Sequence, residues 1–391
     1  MSTPTRSFIP YGTQWIADDD VAAVVEALRS PWMTQGPLIE AFEQAIARFC
    51  GARYAVAVAN GTAALHLAAL AAGFGPGDEV ITSPITFVAS ANCILYAGAR
   101  PVFADIDPMT YCLDPRAVET QLSPATKGLI PVHFAGQPCD MPALHRLAKA
   151  RGLTVIEDAA HAIGARYVYE GQSHQVGSCA HSDMTVFSFH PVKHITTGEG
   201  GVVTTNDPDL YQKLLRLRSH GITRDPALMD APEGPWYYEM QDLGFNYRIT
   251  DFQCALGLKQ LERLDAFLER RLQIVASYDS AFREEEELIV PHVASGRVSA
   301  YHLYVIQLRS LSRLGVFNRL REKHLGVNVH YIPVHMQPYY RRTFGFDNGD
   351  FPVAEAYYDR TITLPLYPKM SDNDVAYVIE VVRETLGELQ S

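Results

Sequence analysis

Lys193 stands in the run Phe187-Ser188-Phe189-His190-Pro191-Val192-Lys193, and Thr196-Thr197-Gly198-Glu199-Gly200-Gly201 follows it. An amine set between a short apolar strand and a glycine-rich turn is placed to condense with an aldehyde. The aldehyde-bearing cofactor that proteins hold through a lysine is pyridoxal phosphate (PLP). A lone lysine, however, is most often a solvated surface charge. Three further groups decide the matter: a cradle for phosphate, a partner for the pyridine nitrogen, and a side chain that stacks on the ring.

Candidates for all three precede Lys193. Asn60-Gly61-Thr62-Ala63-Ala64 follows a predicted strand and opens an alanine-rich helix. Free N–H groups at Gly61, Thr62 and Ala63, with the Thr62 hydroxyl, suit an anion, although an ordinary N-cap has the same appearance. Gly73-Phe74-Gly75-Pro76-Gly77-Asp78 precedes a strand instead, and reads as a turn rather than a dinucleotide fingerprint. Phe87, in Thr86-Phe87-Val88-Ala89, lies just past a strand, where it fits ring stacking or plain core packing. Asp158 ends the strand of Glu157-Asp158-Ala159-Ala160-His161-Ala162. A carboxylate there suits a protonated pyridine nitrogen, while capping the next helix is its plainer use. His161 fits a hydrogen bond to the cofactor's phenolic oxygen or a satisfied histidine near the surface. Ser188 offers a hydroxyl to the same phosphate. Each feature is weak alone, but their order along the chain points to PLP.

The elements that must position these residues alternate. A first helix follows Ala17-Asp18-Asp19-Asp20, with Val21, Val24, Val25 and Leu28 at helical spacing. A second carries Ile39, Phe42, Ile46 and Phe49 on one face and stops at Gly51. Short apolar strands are predicted over 54–59, 80–82, 101–106, 128–133, 153–158 and 184–189, with helices such as 141–151 between some of them. Continuous apolar strands alternating with helices indicate a mostly parallel sheet covered on both faces. After about Gly257 the texture changes: a charged helix over 256–271, strands over 301–308 and 327–331, and a last helix capped by Ser371-Asp372-Asn373-Asp374. The expectation is a large α/β domain over 1–255 and a smaller α+β domain over 256–391.

The 391-residue chain has a formal charge of -11 and no basic block, which argues against nucleic acid and weakly against an anionic membrane surface. Six scattered cysteines form no CxxC pair, as expected of reduced thiols. His174, Cys179 and His181 match no zinc spacing and read as a loop, so no metal site is expected. Met1–Arg6 is short and polar, and no apolar run reaches spanning length, so a cytoplasmic enzyme is the expectation.

Four segments carry a resemblance that spans nearly the whole chain: Asn60-Gly61-Thr62-Ala63-Ala64-Leu65, Glu157-Asp158-Ala159-Ala160-His161-Ala162, Ser188-Phe189-His190-Pro191-Val192-Lys193 and Gly244-Phe245-Asn246-Tyr247-Arg248. They resemble the nucleotide-sugar aminotransferases of fold-type I. The resemblance implies a homodimer with both active sites at its interface. It assigns Lys193 to the covalent link with PLP, Asp158 to the pyridine nitrogen, and His161 to the phenolic oxygen, where many members have Gln. Thr62, Ser188 and Asn246 of the partner subunit would hold the phosphate. Pro10-Tyr11, Ser30-Pro31-Trp32-Met33-Thr34-Gln35-Gly36-Pro37, Arg218-Ser219-His220-Gly221 and Asn328-Val329-His330-Tyr331-Ile332-Pro333-Val334-His335 resemble the pseudaminic-acid branch of that family. That branch aminates C4 of UDP-2-acetamido-2,6-dideoxy-β-L-arabino-hex-4-ulose with L-glutamate as donor. Its substrate contacts would map to Tyr11, Pro31, Trp32, Met33, Thr34, Gly61, Ser188, Asn246, Val329, His330, Tyr331 and Ile332.

Arg248 fits bidentate binding of the donor carboxylate, or a surface salt bridge. Competing readings are an aminotransferase for another nucleotide keto-sugar, a PLP-dependent sugar dehydratase and a non-catalytic PLP-binding regulator. The dehydratase of this fold has histidine in place of the lysine, so Lys193 argues against it, with His194 next door marking the register to check. No basic DNA-binding helix pair supports the regulator.

Overall fold

A computed structural model describes residues 7–231 and 233–390; the polar Met1–Arg6 segment lies outside them. Seven strands form the main sheet: β1 (Tyr54–Val58), β2 (Glu79–Thr82), β3 (Arg100–Phe103), β4 (Thr126–Ile130), β5 (Thr154–Asp158), β6 (Met184–Ser188) and β7 (Gly201–Thr205). Their spatial order is β1-β7-β6-β5-β4-β2-β3. The β6-β5-β4-β2-β3 run is parallel, and β7 lies antiparallel to both β1 and β6. The expected mostly parallel α/β sheet is therefore present. Strand β7 was not expected, because Gly200-Gly201 reads as a turn while Val202-Val203 is too short an apolar run to signal a strand.

Both sheet faces are covered because the strands are apolar on both. Helix Gly61–Ala71 is buried almost all round, and its alanines allow close approach to the sheet. Helix Pro37–Cys50 buries Ile39, Phe42 and Ile46 and ends at Gly51, whose φ of 76° is the left-handed cap glycine favours. The first helix, Asp18–Arg29, forms as its spacing predicts but packs by another face. Asp20 and Ala27 are buried, while Val21, Val25 and Leu28 are exposed. Asp20 accepts hydrogen bonds from Gln260 Nε2 at 2.9 Å and from the Arg263 guanidinium, which outweighs the apolar stripe in fixing the helix orientation.

A second cluster forms around helix Leu264–Phe282, helix Asp372–Gln390 and an antiparallel sheet of Leu288–Ile289, Tyr304–Leu308 and Thr361–Leu364. The change of texture near residue 256 falls inside a continuous helix, Asp251–Glu262. The strand expected over 327–331 is reduced to one bridge between Asn328 and Thr363. Past it, the His330 carbonyl accepts from Tyr357 OH at 2.8 Å instead of pairing with a strand. His174 belongs to a short strand, Gln172–Gln175, and all six cysteines are free and buried. No metal-binding group of three ligands occurs among the described residues. No described helix is long and apolar enough to cross a membrane.

Asp251 is fully buried and accepts from Gly36 N at 2.8 Å and Leu38 N at 3.1 Å, capping helix Pro37–Cys50 from far along the chain. Replacing it by alanine leaves both amides unpaired. Asp251→Ala is expected to destabilise the fold by about 2–3 kcal/mol in a urea titration, with Asp251→Asn recovering part of the loss.

Candidate active site

Parallel strands β2, β4, β5 and β6 all end at one edge of the sheet, and the loops beyond them border a cavity of about 820 Å³. Asp158, the last residue of β5, lines it and is buried. Its Oδ1 accepts from Ala160 N at 3.1 Å and its Oδ2 from Ser90 Oγ at 2.6 Å. Lys193 reaches the same cavity from the loop between β6 and β7. Burial pushes its amine down to about 8, while the Asp158 charge acts in the opposite direction. No acceptor lies within hydrogen-bonding distance of that amine among the described residues, so it faces the cavity unpaired.

The phosphate-cradle candidates meet at the other end. Gly61, Thr62 and Ala63 begin helix Gly61–Ala71, with the Asn60 side chain accepting from Ala63 N at 2.8 Å. Ser188, at the end of β6, faces this turn so closely that a Cβ on Gly61 would sit 2.9 Å from Ser188 Cβ. Phe87 is 58% exposed and lines the cavity, so core packing is not its role. His161 is buried rather than near the surface. Its Nε2 meets Tyr331 OH at 3.2 Å, and its Nδ1 has no partner among the described residues. Burial, then the Lys193 charge, holds this imidazole well below its usual range, and burial likewise pushes His330 down to about 3. Both rings are neutral near pH 7.

Tyr11, Val329, His330 and Tyr331 complete the wall, with the Tyr11 and His330 rings 5.3 Å apart. The other expected substrate residues lie elsewhere in this chain. Ile332, Trp32 and Met33 are exposed, and Pro31, Trp32, Met33, Thr34 and Ile332 do not line the cavity. Asn246 is exposed and pairs with Ser219 as an isolated bridge. Arg248 directs Nη1 at Ser219 Oγ, 3.3 Å away, and forms no salt bridge among the described residues. Sequence reasoning missed Ser90, His66, Tyr96, Tyr247 and Glu199, which also line the cavity. The one available signal was the one-turn spacing of Thr86 and Ser90.

A family model described as the DegT/DnrJ/EryC1/StrS aminotransferase family matches residues 14–383. The chain belongs to that family. It is 45% identical over 382 residues to the Bacillus subtilis spore coat polysaccharide biosynthesis protein SpsC, covering 96% of this chain and 97% of SpsC. Among solved structures, Helicobacter pylori PseC, an aminotransferase involved in the biosynthesis of pseudoaminic acid, superposes with a TM-score of 0.90. It is 30% identical and covers 98% of this chain and 100% of PseC. Spr1654 of Streptococcus pneumoniae, described as a proposed sugar aminotransferase and solved in its PMP form, gives a TM-score of 0.89. It is 33% identical and covers 97% of this chain and 100% of its own.

The protein is thus a PLP-dependent sugar aminotransferase, and its cavity fits the cofactor. An unpaired amine faces the cavity that Asp158 lines, and the Gly61–Ser188 approach leaves room for backbone amides but no side chain. Gly61→Ala is expected to weaken PLP binding about tenfold or more, equivalent to about 1.4 kcal/mol, by overpacking that approach. Fluorescence titration of cofactor-free protein measures the affinity, and a native circular-dichroism spectrum at the assay temperature separates the effect from misfolding.

Proposed function

We propose that the protein moves the amino group of L-glutamate to C4 of a UDP-linked 4-keto-6-deoxy-N-acetylhexosamine. The product would be UDP-4-amino-4,6-dideoxy-N-acetyl-β-L-altrosamine, on the way to pseudaminic acid. The observation that carries the reading is the unpaired Lys193 amine in one cavity with Asp158, walled by Tyr11, His330 and Tyr331. The likeness to PseC supports the substrate class. A second reading, another nucleotide keto-sugar that feeds a coat polysaccharide, is favoured by the higher identity to SpsC.

When bound, PLP supplies an aldehyde that exchanges between amines and a ring that withdraws electrons from the donor's α-carbon. In this reading Lys193 would hold the aldehyde, and its free amine would serve as base and acid for the proton at the donor's α-carbon. Asp158 pairs with the ring nitrogen, His161 with the phenolic oxygen, and Phe87 stacks on the ring. Gly61, Thr62, Ala63 and Ser188 hold the phosphate, completed by Asn246 of the partner subunit in a homodimer. The exposed apolar Val21, Val25, Leu28, Trp32 and Met33 support such a pairing. A cytoplasmic setting accords with the reduced cysteines.

A panel of 4-keto and 3-keto nucleotide sugars with glutamate, read by mass spectrometry, tests the substrate. Amination of the L-arabino 4-ulose above all others is expected. Preference for a different keto-sugar selects the second reading, and turnover of none rejects both.

The amine chemistry has its own test. Only the neutral amine attacks an aldehyde, and the neutral fraction of a group titrating at about 8 rises about tenfold per pH unit below that value. PLP capture by cofactor-free protein, followed by absorbance, is therefore expected to accelerate with pH and level off above about 8. Borohydride trapping should place the label on Lys193. A flat rate across that range, or a label on another lysine, rejects the assignment.

A further inference from the structure

Asp158 is tied to the protein through both oxygens, and one tie leads to side chains with no part in the chemistry so far. Ser90, near the start of helix Ala89–Tyr96, places Oγ 2.6 Å from Asp158 Oδ2. Thr86, one turn earlier, places Oγ1 2.6 Å from Ser90 Oγ. All three side chains are buried and all three residues border the cavity.

Proton accounting fixes the direction of this chain. An ionised carboxylate only accepts, and each hydroxyl has one proton. Ser90 therefore donates to Asp158, and Thr86, with no other side-chain partner among the described residues, donates to Ser90. The Phe87 carbonyl is the one competing acceptor for the Ser90 proton, and at 3.3 Å it is the longer bond. Oδ1 is held by a backbone amide, so the Ser90 bond is what stops the carboxylate plane from turning about that anchor. Each oxygen keeps a free lone pair for a ligand in the cavity.

We propose that Ser90 is a positioning residue for Asp158, and that Thr86 sets the direction of the Ser90 hydroxyl. The inference rests on the reading that Asp158 meets the ring nitrogen of PLP. Without the Ser90 donor, the carboxylate aims less well at that nitrogen and the ring holds its proton less firmly. Outer partners that orient metal ligands alter affinity or activity about 10- to 100-fold, and the lower end of that range sets the scale expected here.

The test uses holoenzyme carrying PLP labelled with 15N at the ring nitrogen, with kcat and KM measured alongside the nitrogen signal. Ser90→Ala is expected to move the signal part of the way toward the unprotonated form. Its kcat should fall about tenfold, with little change in KM for glutamate. Ser90→Thr restores the hydroxyl and should restore both readouts. Thr86→Val, which leaves Asp158 and Ser90 intact, should shift the signal less and in the same direction. In an Asp158→Asn background, Ser90→Ala should change neither readout further. An unmoved nitrogen signal in Ser90→Ala, while Asp158→Asn shifts it, overturns the inference and leaves the role of Asp158 standing. The same loss from Ser90→Ala with and without Asp158 also overturns it, as a general packing effect. A signal that Asp158→Asn leaves unmoved rejects the Asp158 reading itself, and the Ser90 proposal with it.

Discussion

An amine and a carboxylate share one edge of a parallel sheet without touching, and the site is built around keeping them apart. Direct pairing of Lys193 with Asp158 would satisfy both and leave no free amine for an aldehyde. Instead burial pushes the lysine down to about 8, and Asp158 is occupied by Ser90 and a backbone amide. Adjacent residues on a strand face opposite sides, so Glu157 is aimed away from the cavity. It meets His133 Nε2 at 2.6 Å and accepts from Ser182 Oγ at 2.5 Å and Thr185 Oγ1 at 3.0 Å. Burial alone would push Glu157 up, but His133 and the two hydroxyls outweigh it and the net direction is down. The β5 end is thus anchored on both faces, and Asp158 is presented from a fixed platform.

A buried cation ties the second cluster to the segment that carries Tyr11. Arg271 is almost wholly enclosed, and its Nη1 donates to the carbonyls of Tyr301 and His302 at 3.3 Å and of Leu366 at 2.9 Å. Leu366 N in turn donates to Tyr11 O at 3.0 Å, and His194 Nε2 meets Ala300 O at 2.9 Å. One guanidinium therefore joins the helix, the turn before Tyr304–Leu308 and the strand end that holds Tyr11. Burial pushes Arg271 down to about 9, and three carbonyl acceptors are what make its enclosure tolerable.

What was legible in the sequence is what local chemistry encodes. Strand ends, helix starts and the loop lysine each carry a signal in neighbouring residues, which is why Asp158, Gly61 and Lys193 fall around one cavity. The capping serine at 371, whose Oγ donates to Asp374 Oδ2 at 2.7 Å, was equally readable. Features set by distant partners were not. The apolar stripe of the first helix promised a buried face, yet Asp20 is the residue that turns inward, because Gln260 and Arg263 wait for it 240 or more positions later. The segment after Asn328 has the β-branched and aromatic look of a strand, but Tyr357 takes the His330 carbonyl and redirects it. Ser90 was legible only through its one-turn spacing from Thr86, because the carboxylate it bonds lies 68 residues away.

Charge in the cavity has one further consequence for how a substrate is held. Among the described residues that line it, Lys193 is the single lysine and there is no arginine. The surrounding His161 and His330 rings are neutral near pH 7, since burial and the Lys193 charge both oppose their protonation. A nucleotide diphosphate and a dicarboxylic amino acid bring several negative charges, and desolvating these against uncharged walls is unfavourable. In the proposed reaction the compensation is therefore shared between N–H donors in the wall and groups from outside it. Helix N-terminal amides answer for one phosphate, at Gly61 and Thr62. In the proposed homodimer, Asn246 and Arg248, which do not line their own chain's cavity, are the candidates for the remainder. Arg271 and Arg263 are already engaged within the fold, with the Leu366 carbonyl and with Asp20.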